Sequence, residues 1–290
     1  MNVMRKDIPR KLYKYFGAER SSFFNDLRVR FSQLGSFNDP FEGRPDIRTF
    51  AKGEDMLRRL GSVTRDESES VYQSLPPHVK STFTAGQVHV LAEHIVKTKG
   101  AELRAQVESV TPHAAAFITG EIDRRLGVLC LSEVPDSLLM WAHYGSSHTG
   151  FVVEFDAWHP CFHQQLSSED DLRHLRRVQY RESRPSAPLA EMEATDLFLA
   201  KSGHWDYERE WRIVRPLDDA IATIPGDPYP TKLFEIPADA VQSVIFGTRM
   251  GDDAEKGIKT AIESSKQLGH VRMMKAAPSA SHFLLEIHEA

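Results

Sequence analysis

Residues 207–214 carry the pattern that most constrains how this 290-residue chain can fold. Successive side chains of a β-strand point to opposite faces, and the segment alternates in that way. One face of such a strand carries Tyr207, Arg209, Trp211 and Ile213. The other face carries Glu208, Glu210, Arg212 and Val214. Two carboxylates and a guanidinium then share a face, which fits either a salt-bridged strand or a catalytic carboxylate held by its neighbours.

The rest of the chain shows short strands mixed with helices. Alternating or apolar runs predict strands at 11–16, 27–31, 127–132, 150–156, 178–180, 233–236, 241–246, 271–274 and 283–287. Helical spacing predicts helices at 137–144, 189–201 and 253–268, and the polar segment 161–177 is expected to be helical as well. Residues 51–125 are predicted to form a helical insertion. The pattern indicates an α+β fold in a single domain, residues 1–290.

Composition points to a cytoplasmic protein that does not enter a membrane. The net charge is -5 and the isoelectric point about 6.2, so there is no global basic surface for nucleic acid. The two cysteines cannot build a disulfide framework. The first residues lack the apolar run of a signal peptide, and no stretch has the length of a membrane-spanning helix.

The sequence lacks the strong enzyme motifs but holds a set of candidate functional residues. The chain has no Walker loop, no glycine-rich dinucleotide fingerprint, no His-Glu-x-x-His, no paired Cys-x-x-Cys and no Gly-x-Ser-x-Gly. Its histidine spacings match no metal site, so we predict none. The remaining candidates are polar or aromatic residues near predicted strand ends and turns. They are Tyr13, Lys14, Tyr15, Ser32, Asn38, Asp39, Glu42, Ser132, Trp141, His143, Tyr144, Glu208, Glu210 and Arg212.

Such residues suit the binding of a nucleotide. Aromatic rings can stack on a base or on nicotinamide, and a glutamate can bond a ribose hydroxyl. Taken singly, each residue is explained equally well by packing or by an ordinary surface position.

Four motifs in this order resemble the bacterial family of proteins with domain of unknown function 2971. They are Lys-Tyr at 14–15, Phe-Asn-Asp-Pro-Phe-Glu at 37–42, Met-Trp-Ala-His-Tyr-Gly at 140–145 and Tyr-Glu-Arg-Glu-Trp-Arg at 207–212. The motifs span nearly the whole chain, but the family carries no known activity.

A more distant resemblance is to the ADP-ribosyltransferase superfamily, including DNA-modifying toxins of the DarT kind. It implies a mixed or antiparallel split β core that binds NAD as substrate. By position, Glu210 would bond the ribose 2′-hydroxyl and Glu208 would face the acceptor. Tyr15 or Lys14 would stand where that family contacts NAD from its first strand, and Ser132 would match its second-motif serine.

The predicted function is therefore transfer of ADP-ribose from NAD to a nucleic acid or protein, in bacterial conflict, phage defence or stress. His143 is a further catalytic candidate. One alternative is a non-catalytic module that binds a nucleotide or a partner. Another is a metal-dependent nuclease or hydrolase that uses His143 and His204. The acceptor, the oligomeric state and the role of residues 51–125 stay open at this stage.

Overall fold

The computed structural model describes residues 7–49, 69, 72–74, 76, 80, 84–167 and 170–290. Its contacts divide the chain into two units. The first comprises Met1–Arg44, Glu121–Arg184 and Ala194–Ala290, and the second comprises Pro45–Gly120 and Pro185–Glu193. All the candidate site residues belong to the first unit.

The first unit is built on an eight-stranded sheet. Its strands are β1 (Lys11–Phe16), β3 (Leu126–Ser132), β4 (Phe151–Asp156), β5 (Arg176–Arg177), β8 (Glu210–Pro216), β11 (Val241–Phe246), β12 (Arg272–Pro278) and β13 (Leu285–Glu289). They lie in the order β13-β12-β11-β4-β1-β3-β8-β5. Every neighbouring pair is antiparallel except β11 with β12, which are parallel.

Smaller elements complete the described chain. A three-stranded sheet has the order β2-β10-β9, and β6 pairs with β7. These strands are β2 (Arg28–Phe31), β6 (Gln179–Arg181), β7 (Ala200–Ser202), β9 (Ala222–Ile224) and β10 (Thr231–Glu235). The α-helices are α1 (Phe23–Asp26), α2 (Ala85–Arg125), α3 (Leu138–Tyr144), α4 (Ala194–Phe198) and α5 (Asp252–Ser264). Short 3-10 helices span Ala18–Arg20, Leu34–Ser36, Pro160–Phe162, Leu189–Glu191, Gly203–Glu208, Leu217–Asp219 and Ala238–Ala240.

The predicted α+β class is confirmed, with a mixed and mainly antiparallel sheet. Strand β1 lies at the centre of this sheet because the side chains of β1 alternate between two apolar layers. Leu12 and Phe16 join the larger core, whereas Tyr13 and Tyr15 pack with Trp141 on the opposite face. Burial of both faces explains why the central strands read as apolar runs rather than as amphipathic strands.

Strand β1 is held much more extensively on one side than on the other. It pairs with β4 at six successive positions, from Lys11 to Phe16. With β3 it pairs at a single position, Tyr13 with Ser132. The sheet is therefore loosely joined between β1 and β3.

Two element predictions are wrong. Residues 207–208 are not strand, because the 3-10 helix Gly203–Glu208 precedes β8 and Arg209 has a left-handed backbone with φ of 43°. Residues 161–177 are not a helix, since their described part holds a bridge between His163 and His174 and then β5. There the Asp170 carboxylate accepts hydrogen bonds from the Leu166 and Arg173 N–H groups, which favours a turn.

Other predictions hold with changed bounds. The helix expected at 189–201 is broken into a 3-10 turn, α4 and strand β7. Helix α2 covers the later part of the predicted insertion, and most of residues 51–84 lie outside the described part of the chain. Among the helices that the structure describes, none is both long and apolar enough to cross a membrane.

The central core sets a stability prediction. Phe151 is 0% exposed and stacks on Phe16, with ring centroids 5.2 Å apart. We expect Phe151→Ala to lower the free energy of unfolding by about 3–5 kcal/mol, because a large cavity replaces the ring. Leu166 is 77% exposed, so Leu166→Ala should change the free energy of unfolding by less than about 0.5 kcal/mol. Urea unfolding measures this free energy for both variants. Equal losses in the two variants would contradict the prediction.

Candidate functional site

A cavity of about 380 Å³ opens in the first unit. Strands β1 and β3 supply part of its wall, and α3 and the segment around Phe37 supply more. The structure brings together ten of the predicted site residues around it. They are Tyr13, Lys14, Tyr15, Ser32, Asn38, Ser132, His143, Tyr144, Glu208 and Glu210.

Four predicted site residues do not line this cavity. Trp141 is 0% exposed, and its indole N–H donates to the Pro135 carbonyl at 2.8 Å. Asp39 accepts a hydrogen bond from the Phe41 N–H at 2.9 Å, which orders the turn of the Asn-Asp-Pro motif. Both therefore support the walls. The other two, Arg212 and Glu42, are buried and form an ion pair with each other.

Arg212 is the centre of a buried ion network. Its Nε and Nη2 donate to the two carboxylate oxygens of Glu210, each at 2.9 Å, and Nη1 donates to Glu42 Oε1 at 2.6 Å. A further bond runs from Nη1 to the Phe198 carbonyl at 2.7 Å. The two-pronged contact holds the Glu210 carboxylate in one orientation.

Lys201, which sequence reasoning missed, joins the network from β7. Its Nζ lies 2.5 Å from Glu208 Oε2, 2.9 Å from Glu210 Oε2 and 3.8 Å from Glu42 Oε2. The sequence did not single out Lys201 because residues 189–201 were predicted to form a helix that ends at this lysine. The position of Lys201 explains how Glu208 and Glu210 can lie side by side.

The pKa values of the two neighbouring glutamates are shifted in opposite directions. Burial alone would raise the pKa of Glu210, but Arg212 and Lys201 outweigh burial and hold this pKa below its ordinary value. Burial raises the pKa of Glu208, and the charge of Glu210 raises it further, although Lys201 opposes both effects. Glu210 is thus the fixed anion of the pair, and Glu208 is the carboxylate that exchanges a proton more readily.

Glu208 is held at the cavity by groups from three parts of the chain. The Tyr144 hydroxyl donates to Glu208 Oε1 at 2.7 Å, and Asn38 Nδ2 donates to that hydroxyl at 3.1 Å. The Ser132 hydroxyl donates to the Glu208 backbone carbonyl at 2.6 Å. Burial raises the pKa of Tyr144, so this phenol remains a hydrogen-bond donor at neutral pH.

Lys14 faces the same cavity in very different surroundings. Its Nζ donates to the Cys130 carbonyl on β3 at 3.3 Å. Burial lowers the pKa of Lys14, and nearby Arg30 lowers it further. Two lysines thus line the cavity, and they differ because Lys201 is strongly ion-paired whereas Lys14 bonds a backbone carbonyl.

Among the residues that the structure describes, no three His, Cys, Asp or Glu side chains are arranged to hold a metal ion. His143 is exposed at the cavity, where its ring lies 6.3 Å from that of Trp205.

Residues 140–213 match the family model described as "Protein of unknown function (DUF2971)". The predicted resemblance to DUF2971 is thereby confirmed for this segment, which contains the motifs at 140–145 and 207–212. Within the DUF2971 match lie Tyr144, Lys201, Glu208, Glu210 and Arg212, whereas Lys14 and Glu42 lie outside it. No curated protein and no solved structure matches the chain.

The ion network predicts a large cost for losing its central cation. In Arg212→Met the buried carboxylates of Glu210 and Glu42 lose their main partner, so the free energy of unfolding should fall by about 3–5 kcal/mol. Arg10 pairs with Asp156 at 3.8 Å on the surface, where its side chain is 71% exposed. Arg10→Met is the control and should cost less than about 1 kcal/mol. Similar losses in both variants, by denaturant unfolding, would contradict the network's role.

The lowered pKa of Glu210 predicts that the stability of the folded protein depends on pH. Because its pKa is lower in the folded protein, its charged form adds stability that is present above its ordinary pKa of 4.5 and is lost as pH falls below it. The stability difference between wild type and Glu210→Gln should therefore be largest at neutral pH and shrink in acid. Unfolding measured from neutral pH down into this acid range tests the trend. A difference that grew in acid would reverse the sign and contradict it.

Proposed function

We propose that the cavity binds NAD and that the protein transfers ADP-ribose from it to an acceptor. The observation that carries the proposal is the Glu208 carboxylate, which Tyr144 and Lys201 hold at the cavity beside the anchored anion Glu210. Departure of nicotinamide leaves positive charge on the ribose, and oriented carboxylates stabilise such charge.

Glu208 is the better candidate than Glu210 for the ribose contact. Arg212 binds both oxygens of Glu210, and Lys201 binds one of them as well. Each oxygen of Glu208 instead accepts a single described hydrogen bond, from Tyr144 or from Lys201. Since a carboxylate oxygen can accept two bonds, Glu208 keeps capacity for a ribose hydroxyl. The proposal thus assigns to Glu208 the ribose contact that the superfamily resemblance gives to Glu210, and Glu208 keeps its place facing the acceptor.

The proposed reaction balances without a metal or a redox partner. The bond between ribose C1′ and the nicotinamide nitrogen breaks, and its electron pair leaves with the neutral nicotinamide. A lone pair of the acceptor then forms a bond to C1′. The acceptor's proton passes to Glu208, whose pKa is raised chiefly by burial, which makes it a stronger base than an ordinary glutamate.

The cavity walls suit the flat ring of nicotinamide. Tyr13 and Tyr15 contribute aromatic surface, and Phe37 and Met140 add apolar surface. The Tyr15 hydroxyl donates to the Val134 carbonyl at 2.8 Å, and its ring packs edge-on against Trp141. A ring fixed in this way binds a flat ligand with little loss of side-chain entropy. By the superfamily resemblance, Tyr15 or Lys14 on β1 would stand where that family contacts NAD.

The central experiment is a mass-spectrometric assay of nicotinamide release with NAD, cell lysate and nucleic acid. Glu208→Gln should slow release at least about 100-fold, because it removes a charge that acts in the transition state. Glu263, exposed in α5, supplies the matched control Glu263→Gln, which should leave the rate unchanged. Circular dichroism checks that both variants are folded.

Two outcomes separate the proposal from its alternatives. An unchanged rate in folded Glu208→Gln would exclude this carboxylate from the chemistry. Saturable NAD binding without release, for every acceptor tried, would favour a non-catalytic nucleotide-binding module. The nature of the acceptor, nucleic acid or protein, and a role in bacterial conflict stay predictions.

A further inference from the structure

Two lysines line the cavity, and their surroundings are opposite. Three carboxylates lie within 4.0 Å of Lys201 Nζ. For Lys14, among the residues that the structure describes, no carboxylate oxygen lies within that distance of Nζ, and the hydrogen bond found is the one to the Cys130 carbonyl. The Phe16 ring lies 5.9 Å from the amine. Among the described residues, no carboxylate therefore balances the charge of this partly buried lysine at close range.

The position of Lys14 follows from the strand pairing. It lies on β1 at the middle of the eight-stranded sheet, opposite Val153 on β4. On its other side β1 and β3 pair at one position, which leaves room for the amine to reach across to the Cys130 carbonyl. The same region opens into the cavity, so the amine is withdrawn from bulk water yet accessible to a small ligand.

These surroundings favour the neutral amine. Burial is the largest effect that lowers the pKa of Lys14, and Arg30 acts in the same direction. Cys130 and Glu210 oppose burial, and the effect of each on this pKa is smaller than that of burial but larger than that of Arg30. A neutral lysine amine has a free lone pair and is a nucleophile, whereas an ammonium is not.

We propose that Lys14 is a covalent binding site for small aldehydes, which form an imine with its Nζ inside the cavity. The nitrogen lone pair attacks the carbonyl carbon and forms the C–N bond, while the carbonyl π electrons move to oxygen. Two protons, both from the nitrogen of the amine, transfer to that oxygen through solvent. The C–O bond then breaks and its electron pair leaves with the water, while the nitrogen lone pair forms the second bond of C=N. The step needs no oxidant or reductant. It also needs neither NAD nor an acceptor, so it stands apart from the proposed transferase function.

The test is reductive trapping on the full-length wild-type chain. Propionaldehyde and sodium cyanoborohydride are added at neutral pH, and the hydride converts any imine into a stable propyl-amine. Peptide mass spectrometry then follows the modification rate of each lysine. Lys14 should be modified at least about tenfold faster than the exposed Lys266, because a larger fraction of its amines is neutral.

Lys201 is the internal control, since it lines the same cavity but its carboxylate partners hold its pKa above the ordinary value even though burial opposes them. It should be the slower of the two cavity lysines by at least about tenfold. Modification of Lys14 no faster than that of Lys266, or only after denaturation, would overturn the proposal. Equal rates at Lys14 and Lys201 would overturn it too, because access to the cavity alone would then explain the labelling.

Discussion

The buried network around Arg212 and Lys201 is the interaction on which the candidate site depends. Three carboxylates and two cations lie together with little access to water, and each charge is tolerated because the others are present. The network draws its members from β7, the 3-10 helix Gly203–Glu208, β8 and the turn at Glu42, and this turn is far from the other three along the chain. It therefore joins these segments and also presents Glu208 to the cavity, so stability and site geometry have the same origin.

The cavity follows from incomplete strand pairing. An evenly paired sheet would have no room between β1 and β3, but these strands meet at one position only, and side chains take over where the backbone ladder is missing. The Lys14 amine accordingly satisfies a β3 carbonyl. On the opposite face of β1 the Tyr13 and Tyr15 rings are fixed by the packing around Trp141. The rigid sheet thus holds polar and aromatic groups around a small open space.

Sequence patterns predicted most strands, the α+β class and ten of the residues around the cavity. Alternation along residues 207–214 correctly associated Glu208, Glu210 and Arg212, although Glu208 reaches this position from a 3-10 helix and not from a strand. Lys201 could not be found in this way, because its partners are determined by tertiary contacts and its segment has a helical composition. Local turn chemistry, such as that of Asp170, overrode the polar pattern expected to be helical.

The central position of β1 affects how the protein comes to be folded. Lys14 bonds to a residue 116 positions later, and Arg212 bonds to one 170 positions earlier, so the site depends on contacts between distant parts of the chain. Such a topology closes long loops before it gains stability, and chains of this kind fold slowly. During synthesis the aromatic first strand leaves the ribosome long before β3 and β4 exist. Until then it is an unpaired, aggregation-prone strand, and chaperones shield such strands from aggregation.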